Sequence, residues 1–332
     1  MPPEYPADGP VLRVGFVGTG GVATRHATIL AEFPDVILAA ATDVDPARNA
    51  AFAAEFGTEV TDGVADLLAH DLDAVYVCVP PFAHVPAQTS AEAQVAAAGL
   101  PLFVEKPLAP DLSTAEEIAK RLDDAGVVTR VGHHWRCAEP VARARALLEG
   151  RPIRLVTATW WDKVPPVSWW PHRDLSGGPV VEQAIHVLDL ARVLAGEVVE
   201  VSARAGGSVP GGDVDAVTTA LLSFANDAVG TLSAASVLGA KHRAGLEIVA
   251  DGLVVGVGED WLDVRDGSAE PVRAEFDRWT ACVAADRAFV DAVAGQPADS
   301  PEPPDYTEAL RSHRLATAVA RSAASGAPEQ LG

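Results

Sequence analysis

The segment VLRVGFVGTGGVATRHATIL, residues 11–30, decides the fold of the first part of the chain. Its first seven residues are mostly apolar, which predicts a buried β-strand. The strand runs directly into glycines, and a helical pattern extends from them to about Phe33. Strand, glycine turn and helix in this order predict the first half of a βαβ unit.

The same alternation continues to about residue 134. Further buried strands are predicted at 36–44, 74–79, 102–107 and 127–134, and helices at 46–56, 87–98 and 113–126. Asp45 and Pro46 are typical of an N-cap and a first helical residue, Gly57 of a helix end, and Ser113 with Glu116 of a capping box. This part of the chain is therefore predicted to be a doubly wound parallel sheet with helices on both faces.

From about residue 135 the pattern changes to an α+β domain with an open, mostly antiparallel sheet. Helices are predicted at 138–149 and 179–194, a strand at 153–161, and a run of strands from 198 to 267 separated by turn residues. A proline-rich linker at 296–305 precedes a last helix at 306–325. We expect three regions: 1–134, 135–304, and 305–332 returning toward the N-terminal domain.

Composition excludes several classes of protein. The chain has 332 residues with 25 basic and 46 acidic side chains, a formal net charge of −21, which disfavours nucleic acid as a partner. No apolar run approaches the roughly 18 residues that cross a bilayer, and residues 1–10 lack the pattern of a signal peptide. Three scattered cysteines suit a reducing compartment, so we expect a cytoplasmic protein.

The glycine turn is suited to binding a dinucleotide. Gly18, Gly20 and Gly21 permit a tight turn and a close approach of backbone to a pyrophosphate, while Val22 and Ala23 open the helix. The helix N-terminus directs N–H groups and the positive end of its dipole at the phosphates. Glycine turns are common, so the strand before this one and the helix after it carry the argument.

Two side chains after the second strand bear on the choice of cofactor. An acid such as Asp43 at this position accepts hydrogen bonds from the adenosine ribose and repels a 2′-phosphate, which favours NAD over NADP. Arg48 lies close enough in sequence to stack on the adenine or meet a 2′-phosphate, which keeps NADP open. Alternatively, Asp43 and Asp45 only cap the following helix.

Four ordered motifs resemble the Gfo/Idh/MocA family of glucose–fructose oxidoreductases and inositol dehydrogenases. They are GTGGVA (18–23), CVPPFAH (78–84), EKP (105–107) and GGPVVEQAIHVLDLARVLAG (177–196). The resemblance covers almost the whole chain. It implies an N-terminal Rossmann domain, a C-terminal α+β domain and NAD(P)-dependent chemistry on a sugar or cyclitol.

The resemblance also implies site residues. Lys106 and His186 would flank the reacting carbon, and the Lys106–Pro107 peptide bond would be cis. Glu182 stands where the family usually has Asp, and the segment 84–105 is longer than typical. The cofactor-binding residues expected are Gly18, Gly20, Gly21, Val22, Ala23, Asp43, Arg48, Pro80, His84, Glu105 and Lys106.

The residues themselves favour the same chemistry. On a regular helix, Glu182, His186 and Asp189 fall on one face of an otherwise apolar segment, and a buried polar stripe needs a polar group to face. Lys106 ends a buried strand, where ligands of α/β sheets gather. Alternatively, His186 is a satisfied core histidine, and Lys106 is a surface lysine paired with Glu105.

These positions suggest a mechanism as a hypothesis. His186 takes the hydroxyl proton of a secondary alcohol while hydride leaves for the nicotinamide, Lys106 hydrogen-bonds the oxygen, and Glu182 orients the imidazole. Ketone reduction would use the same roles.

Aromatic and charged residues after residue 134 are candidates for substrate binding. Aromatic faces with charged neighbours suit sugars and cyclitols, although clustered tryptophans also pack interfaces between domains or subunits. The substrate-binding residues expected are Lys106, Trp135, Arg136, Trp161, Lys163, His172, Arg173, Glu182 and His186, with Trp160, Asp162, Trp169 and Trp170 nearby. We expect no metal, since His133 and His134 point to opposite faces of a strand.

Three functions remain open on the sequence alone. The first is oxidation of a polyol, sugar, glycoside or cyclitol. The second is ketone or imine reduction, or transient oxidation in glycoside cleavage or aldose transfer. The third is a nucleotide-sensing regulator without catalysis, which the presence of Lys106 and His186 disfavours. An open second-domain sheet would expose apolar surface, so we expect a homodimer or homotetramer.

Overall fold

The protein is described here from a computed structural model, which covers residues 10–267, 270–297 and 301–331. The chain divides into two compact units. Unit 1 comprises Met1–Leu108, Ser113–His134 and Cys282–Thr307, and unit 2 comprises Ala109–Leu112, Trp135–Ala281 and Glu308–Gly332.

Unit 1 is built on a six-stranded parallel sheet with strand order β3-β2-β1-β4-β5-β6. The strands are β1 (Leu12–Val17), β2 (Val36–Thr42), β3 (Glu59–Thr61), β4 (Ala74–Val77), β5 (Leu102–Val104) and β6 (Thr129–Val131). The helices are α1 (Gly21–Leu30), α2 (Pro46–Phe56), α3 (Val64–Leu67), α4 (Ala91–Ala97) and α5 (Leu112–Ala125), the last beginning at the unit boundary. The core includes Phe16, Tyr76 and Phe103, so the sheet's strands are buried as a parallel sheet requires.

Unit 2 contains a nine-stranded sheet with order β14-β13-β12-β11-β7-β10-β9-β8-β15. Its strands are β7 (Ile153–Asp162), β8 (Val198–Ser208), β9 (Asp215–Phe224), β10 (Val229–Ser236), β11 (Arg243–Ala250), β12 (Leu253–Val257), β13 (Trp261–Arg265), β14 (Val272–Glu275) and β15 (Glu329–Gln330). All neighbours pair antiparallel except β7 with β10. Its helices are α6 (Glu139–Leu148), α7 (Arg173–Ser176) and α8 (Ile185–Ala195). Two further helices cross the unit boundaries: α9 (Arg278–Val293) lies mostly in unit 1, and α10 (Tyr306–Ser325) lies mostly in unit 2.

The predicted fold class is confirmed in both parts of the chain. The parallel sheet and the mostly antiparallel sheet are as expected, and most elements lie within a few residues of their predicted bounds. Asp45 caps α2 by accepting from the backbone N–H groups of Ala47 and Arg48, and Gly57 ends that helix at φ 74°. The capping box at Ser113 was wrong, because α5 already begins at Leu112 and Ser113 lies inside its first turn.

The C-terminal region differs from the expectation in one respect. Helix α9 was not predicted, and it divides between the units: Phe289 and Val290 pack in the core of unit 1. The last helix, α10, was expected to return toward the N-terminal domain. Leu315 and Val319 pack in the core of unit 2, most of α9 belongs to unit 1, and the return of the last region toward the N-terminal domain stays a prediction. A weakly amphipathic helix carries little periodic signal, which explains the omission.

Some expectations concern residues that the structure does not describe. The N-terminal segment 1–9 and residues 298–300 of the proline-rich linker lie outside the described ranges. Within those ranges, no helix is both long and apolar enough to span a bilayer. The cytoplasmic location stays a prediction.

Candidate active site

The glycine turn has the geometry that a pyrophosphate requires. Gly18 has φ 86°, and a Cβ there would lie 2.4 Å from the carbonyl oxygen of Cys78, so only glycine fits between β1 and β4. Gly20 and Gly21 face open space, and α1 begins at Gly21 without a side-chain cap. The residues present therefore fit a dinucleotide phosphate at the N-terminus of α1.

Asp43 lies beside the same turn. Its Oδ2 accepts hydrogen bonds from the backbone N–H of Thr19 at 2.8 Å and from the Thr19 hydroxyl at 3.1 Å. The backbone N–H of Asp45 donates to the other oxygen at 2.8 Å. Arg48 is half exposed and lies 3.6 Å from Asp43. The hydrogen bonds of Asp43 therefore connect the glycine turn to the end of β2, and Arg48 lies beside Asp43.

Glu105 is the acceptor for two cations of α1. Its Oε1 lies 3.1 Å from Nη2 of Arg25 and 2.9 Å from Nε2 of His26. Burial opposes ionisation, but His26 and Arg25 outweigh it and lower the pKa of Glu105 to about 2. Lys106 also lowers this pKa, by less than His26 and Arg25 do, and the alternative in which Lys106 is a surface lysine paired with Glu105 stays open. The Lys106–Pro107 peptide bond is cis, as the resemblance implied.

His84, expected to bind the cofactor, lies in a buried position. His84 ends a short helical turn that follows Pro80. Its buried side chain pairs through Nδ1 with the buried carboxylate of Glu92 at the start of α4. The His84 imidazole lowers the pKa of Glu92, although burial opposes this. His84 thus anchors the 78–84 loop to the longer segment that follows.

Unit 2 contributes an imidazole held among aromatic rings. The ring of His186, on α8, stacks on Trp135 with centroids 5.4 Å apart and on Trp160 with centroids 5.8 Å apart. The two indoles also stack on each other at 5.7 Å. All three side chains are buried. Offset stacking of this kind contributes about 0.5–1.5 kcal/mol per pair and fixes the plane of the imidazole.

Lys241 is a residue of this group that sequence reasoning missed. Its ammonium lies 5.0 Å from the ring centroid of Trp160 and 5.5 Å from that of Trp135, and 3.6 Å from a carboxylate oxygen of Glu259. The register Ala244↔Trp160 between β11 and β7 brings the loop before β11 to the end of β7. Only sheet pairing reveals this, because Lys241 lies in an ordinary polar turn of the sequence.

The polar stripe expected on the second-domain helix is altered by local geometry. Residues Val180–Ala184 form a π-helical turn, and the regular α-helix begins only at Ile185. The regular 100° spacing assumed between Glu182 and His186 was therefore wrong. The carboxylate of Glu182 accepts a hydrogen bond from the indole N–H of the buried Trp170 at 2.6 Å. Its predicted role in orienting His186 stays a prediction.

Arg136 and Asp189, both singled out from the sequence, form a bidentate ion pair. Nε and Nη2 of Arg136 lie 2.8 and 2.6 Å from the two carboxylate oxygens of Asp189. Burial opposes the charge, but Asp189 and Glu308 outweigh it and raise the pKa of Arg136. The hydroxyl of Ser312 also donates to Asp189, at 2.5 Å. Arg136, the residue after Trp135, is thus bound to Asp189 of α8 and to Glu308 of α10. The sequence did not suggest this structural role for Arg136.

The other expected substrate residues lie on or near the surface of unit 2. Lys163 and His172 are exposed, and Arg173 pairs with Asp215 at 2.8 Å. Trp161 stacks on His242 and lines a cavity of about 540 Å³ with Leu238 and other residues of the 238–242 loop. Within the described ranges, no three His, Cys, Asp or Glu side chains are grouped as a metal site would need.

Both units contain a segment that matches a known protein family. Residues 12–133 match the oxidoreductase family described by its NAD-binding Rossmann fold, and residues 141–252 match the GFO/IDH/MocA C-terminal domain. Myo-inositol dehydrogenase Hyg17 of Streptomyces leeuwenhoekii is 32% identical over 339 residues, covering 95% of this chain and 98% of that protein.

Other similar proteins agree with this placement. Inositol 2-dehydrogenase of Rhizobium meliloti is 32% identical over 191 residues, 56% of each chain, and the chain spans about half to two thirds of several further curated relatives. The solved structure of GenD2 from gentamicin A biosynthesis, in complex with NAD, is 26% identical with a TM-score of 0.82 and covers 100% of this chain and 99% of its own. This chain therefore belongs to the Gfo/Idh/MocA family of oxidoreductases, and its first unit is that family's NAD-binding Rossmann domain.

Proposed function

We propose that the protein is an NAD-dependent dehydrogenase that interconverts a secondary alcohol and a ketone on a sugar or cyclitol. One observation carries this proposal: the buried imidazole of His186 is held face to face with two indoles on a helix that is otherwise mostly apolar. A core histidine needs only hydrogen bonds, whereas aromatic walls beside an imidazole suit a ring-shaped polyol.

The roles of the residues follow from their chemistry. His186 accepts the proton of the substrate hydroxyl as a general base, and Lys106 donates a hydrogen bond to the same oxygen and offsets its developing negative charge. Bound NAD supplies a nicotinamide ring that accepts the hydride. Gly18, Gly20 and Gly21 hold its pyrophosphate.

The indole faces supply apolar surface for the C–H faces of a sugar ring. The Nε1–H of Trp160 is buried and has no hydrogen-bond acceptor among the described residues. Because a buried indole donor normally has an acceptor, we propose that a substrate hydroxyl receives this hydrogen bond. Three inositol dehydrogenases among the relatives make a cyclitol the first substrate to try.

The test measures reduced nicotinamide absorbance with NAD and a panel of inositols and sugars. Lys106→Met and His186→Ala are expected to lower kcat by about 10²-fold or more, as loss of a general base or an oxyanion donor does. NADH binding, followed by fluorescence, should survive both changes. Trp279→Phe, at a side chain 42% exposed, is the matched control. Unchanged turnover in both site variants would refute the assignment.

We also propose that two or more copies associate through the outer face of the unit 2 sheet. Val217, Leu221 and Val229 are exposed there on neighbouring strands β9 and β10, while the alternate residues Ala220 and Leu222 face the core. Exposed apolar side chains on one face of a sheet favour burial of that face against a second copy.

A further inference from the structure

A chain of buried charged groups runs through unit 1 from α1 to α9. Nε2 of His26 lies 2.9 Å from Oε1 of Glu105, and its Nδ1 lies 2.7 Å from Oδ1 of Asp286. Arg25 reaches the same Glu105 oxygen, and the hydroxyl of Tyr76 donates to the same Asp286 oxygen at 3.2 Å. His26, Glu105 and Asp286 are each more than nine-tenths buried. The imidazole therefore bridges the acid of the EKP motif and an acid of α9.

The two acids hold His26 in its charged form. Because each ring nitrogen faces a carboxylate oxygen, both nitrogens must carry a proton to donate, which makes the ring an imidazolium. Burial opposes this charge, but Asp286 and Glu105 outweigh it and raise the pKa of His26 to about 9. At neutral pH the cluster pairs the two cations of α1 with Glu105, directly after β5, and Asp286 of α9.

Packing leaves this cluster little freedom. The His26 ring packs beside both Tyr76 and Phe103, with centroids 5.2 and 5.0 Å away, and those two rings stack on each other at 4.9 Å. On the other side of Glu105, a Cβ on Gly132 would lie 2.6 Å from the Glu105 carboxyl carbon. The backbone N–H of Glu105 donates to Val77 on the neighbouring strand. Both the backbone and the side chain of Glu105 are thus fixed one residue before Lys106.

We propose that His26 and Asp286 are positioning residues for Lys106. They clamp Glu105 and thereby hold the Glu105-Lys106-Pro107 segment in place relative to α1, whose first turn faces the cofactor phosphates. The inference rests on the proposed function of Lys106. Without His26, the buried Asp286 loses its cation and Glu105 keeps Arg25, whose side chain is 28% exposed, so Glu105 would shift with Arg25 toward water and displace its neighbour. A displacement of about 1 Å at a reacting group can cost about 10²-fold in rate.

The test compares His26→Phe with a control on α9, the helix that carries Asp286. Arg287 there pairs with Asp35 at 2.9 Å and with Asp291 at 2.7 Å. We expect His26→Phe to lower kcat by about 10- to 100-fold with KM and the Kd for NADH changed by less than about threefold. Arg287→Met should lower the melting temperature and leave kcat unchanged. His26→Gln, which keeps one donor, should recover part of the rate.

A second readout does not depend on turnover. The rate at which an acylating reagent modifies the Lys106 amine, measured by peptide mass spectrometry, reports the placement of that side chain. It should change several-fold in His26→Phe and not in Arg287→Met. If His26→Phe fails to fold, Asp286→Asn breaks the same cluster more mildly and is measured instead.

The outcomes separate this inference from the proposed function. Wild-type protein that turns over none of the polyols refutes the proposed function, whereas the labelling rates still test the placement of Lys106. Equal losses of kcat in the His26 and Arg287 variants, or an unchanged labelling rate, would overturn the inference and leave His26 a structural residue only.

Discussion

The imidazole of His186 and the indole of Trp135 lie face to face, with their planes 14° apart and their centroids separated by 5.4 Å. Trp135 directly precedes Arg136, which is fixed by its bidentate pair with Asp189, one helical turn after His186. The ion pair and the ring stack therefore join the same two segments of chain. The plane of the His186 imidazole is set in this way by side chains of two separate segments.

The first prediction concerns this stack. Trp135→Leu removes an aromatic face and leaves a void beside His186, so we expect kcat to fall by about tenfold and stability by about 3 kcal/mol. Trp135→Phe should restore most of the rate because it keeps a face. Steady-state kinetics and urea unfolding measure both quantities. Equal kcat values for the Leu and Phe variants would show that stacking does not position His186.

A second prediction concerns cofactor choice. Asp43→Ser keeps a polar group near Thr19 but removes the negative charge that disfavours a 2′-phosphate. We expect NADH to bind about tenfold more weakly and NADPH more tightly, as measured by fluorescence titration. Asp45→Asn, at the exposed cap of α2, is the control and should leave both affinities unchanged. Selectivity for NADH that survives in Asp43→Ser would contradict the role given to Asp43.

The pH dependence of stability follows from the raised pKa of His26. Its folded value of about 9 exceeds the ordinary 6.5, so the stabilisation is complete below the lower value and is lost as pH rises through the higher one. We expect wild-type protein to lose on the order of 3 kcal/mol more than His26→Phe between about pH 7 and about pH 10. Urea unfolding at both pH values measures the difference. Parallel pH profiles for the two proteins would exclude a charged His26.

The pKa of Glu105 is shifted in the opposite direction, so its effect on the pH dependence of stability is also opposite. Its lowered pKa of about 2 gives stabilisation that is present above the ordinary 4.5 and is lost as pH falls through the lower value. Gly132→Ala should mimic part of that loss at neutral pH, because its Cβ would overlap the Glu105 carboxylate; we expect about 1–3 kcal/mol. Gly63→Ala, where a Cβ meets open space, is the control for chemical denaturation. Equal stabilities of the two variants would show that Glu105 can move freely.

The last prediction concerns assembly. Leu221 is 64% exposed on the outer face of the unit 2 sheet. If that face is buried between copies, Leu221→Lys should shift the protein to a smaller species in sedimentation equilibrium, because a buried unpaired charge is costly. Val60→Lys, at an equally accessible position in unit 1, should leave the mass unchanged. A wild-type protein that sediments as a monomer would refute the proposal directly.

The sequence alone determined the fold class and the nucleotide-binding turn. Both depend on local patterns: apolar runs predict strands, and Gly18 and Asp45 occupy positions whose backbone geometry or hydrogen bonding few other residues can supply. The family resemblance singled out Lys106 and His186 because it, too, depends on short motifs that can be read in order along the chain. The strands of unit 2 could also be predicted from the sequence, because exposed and buried residues alternate along a strand with a period of two.

The tertiary structure decided which side chains meet. Lys241 reaches Trp160 through strand pairing between β7 and β11, and His26 reaches Asp286 across 260 positions of sequence. The π-helical turn before α8 changed the expected relation of Glu182 to His186. No periodicity encodes such contacts, because they arise when separate elements pack. The chain's pattern therefore specifies where elements form, while packing specifies which charges and rings they bring together.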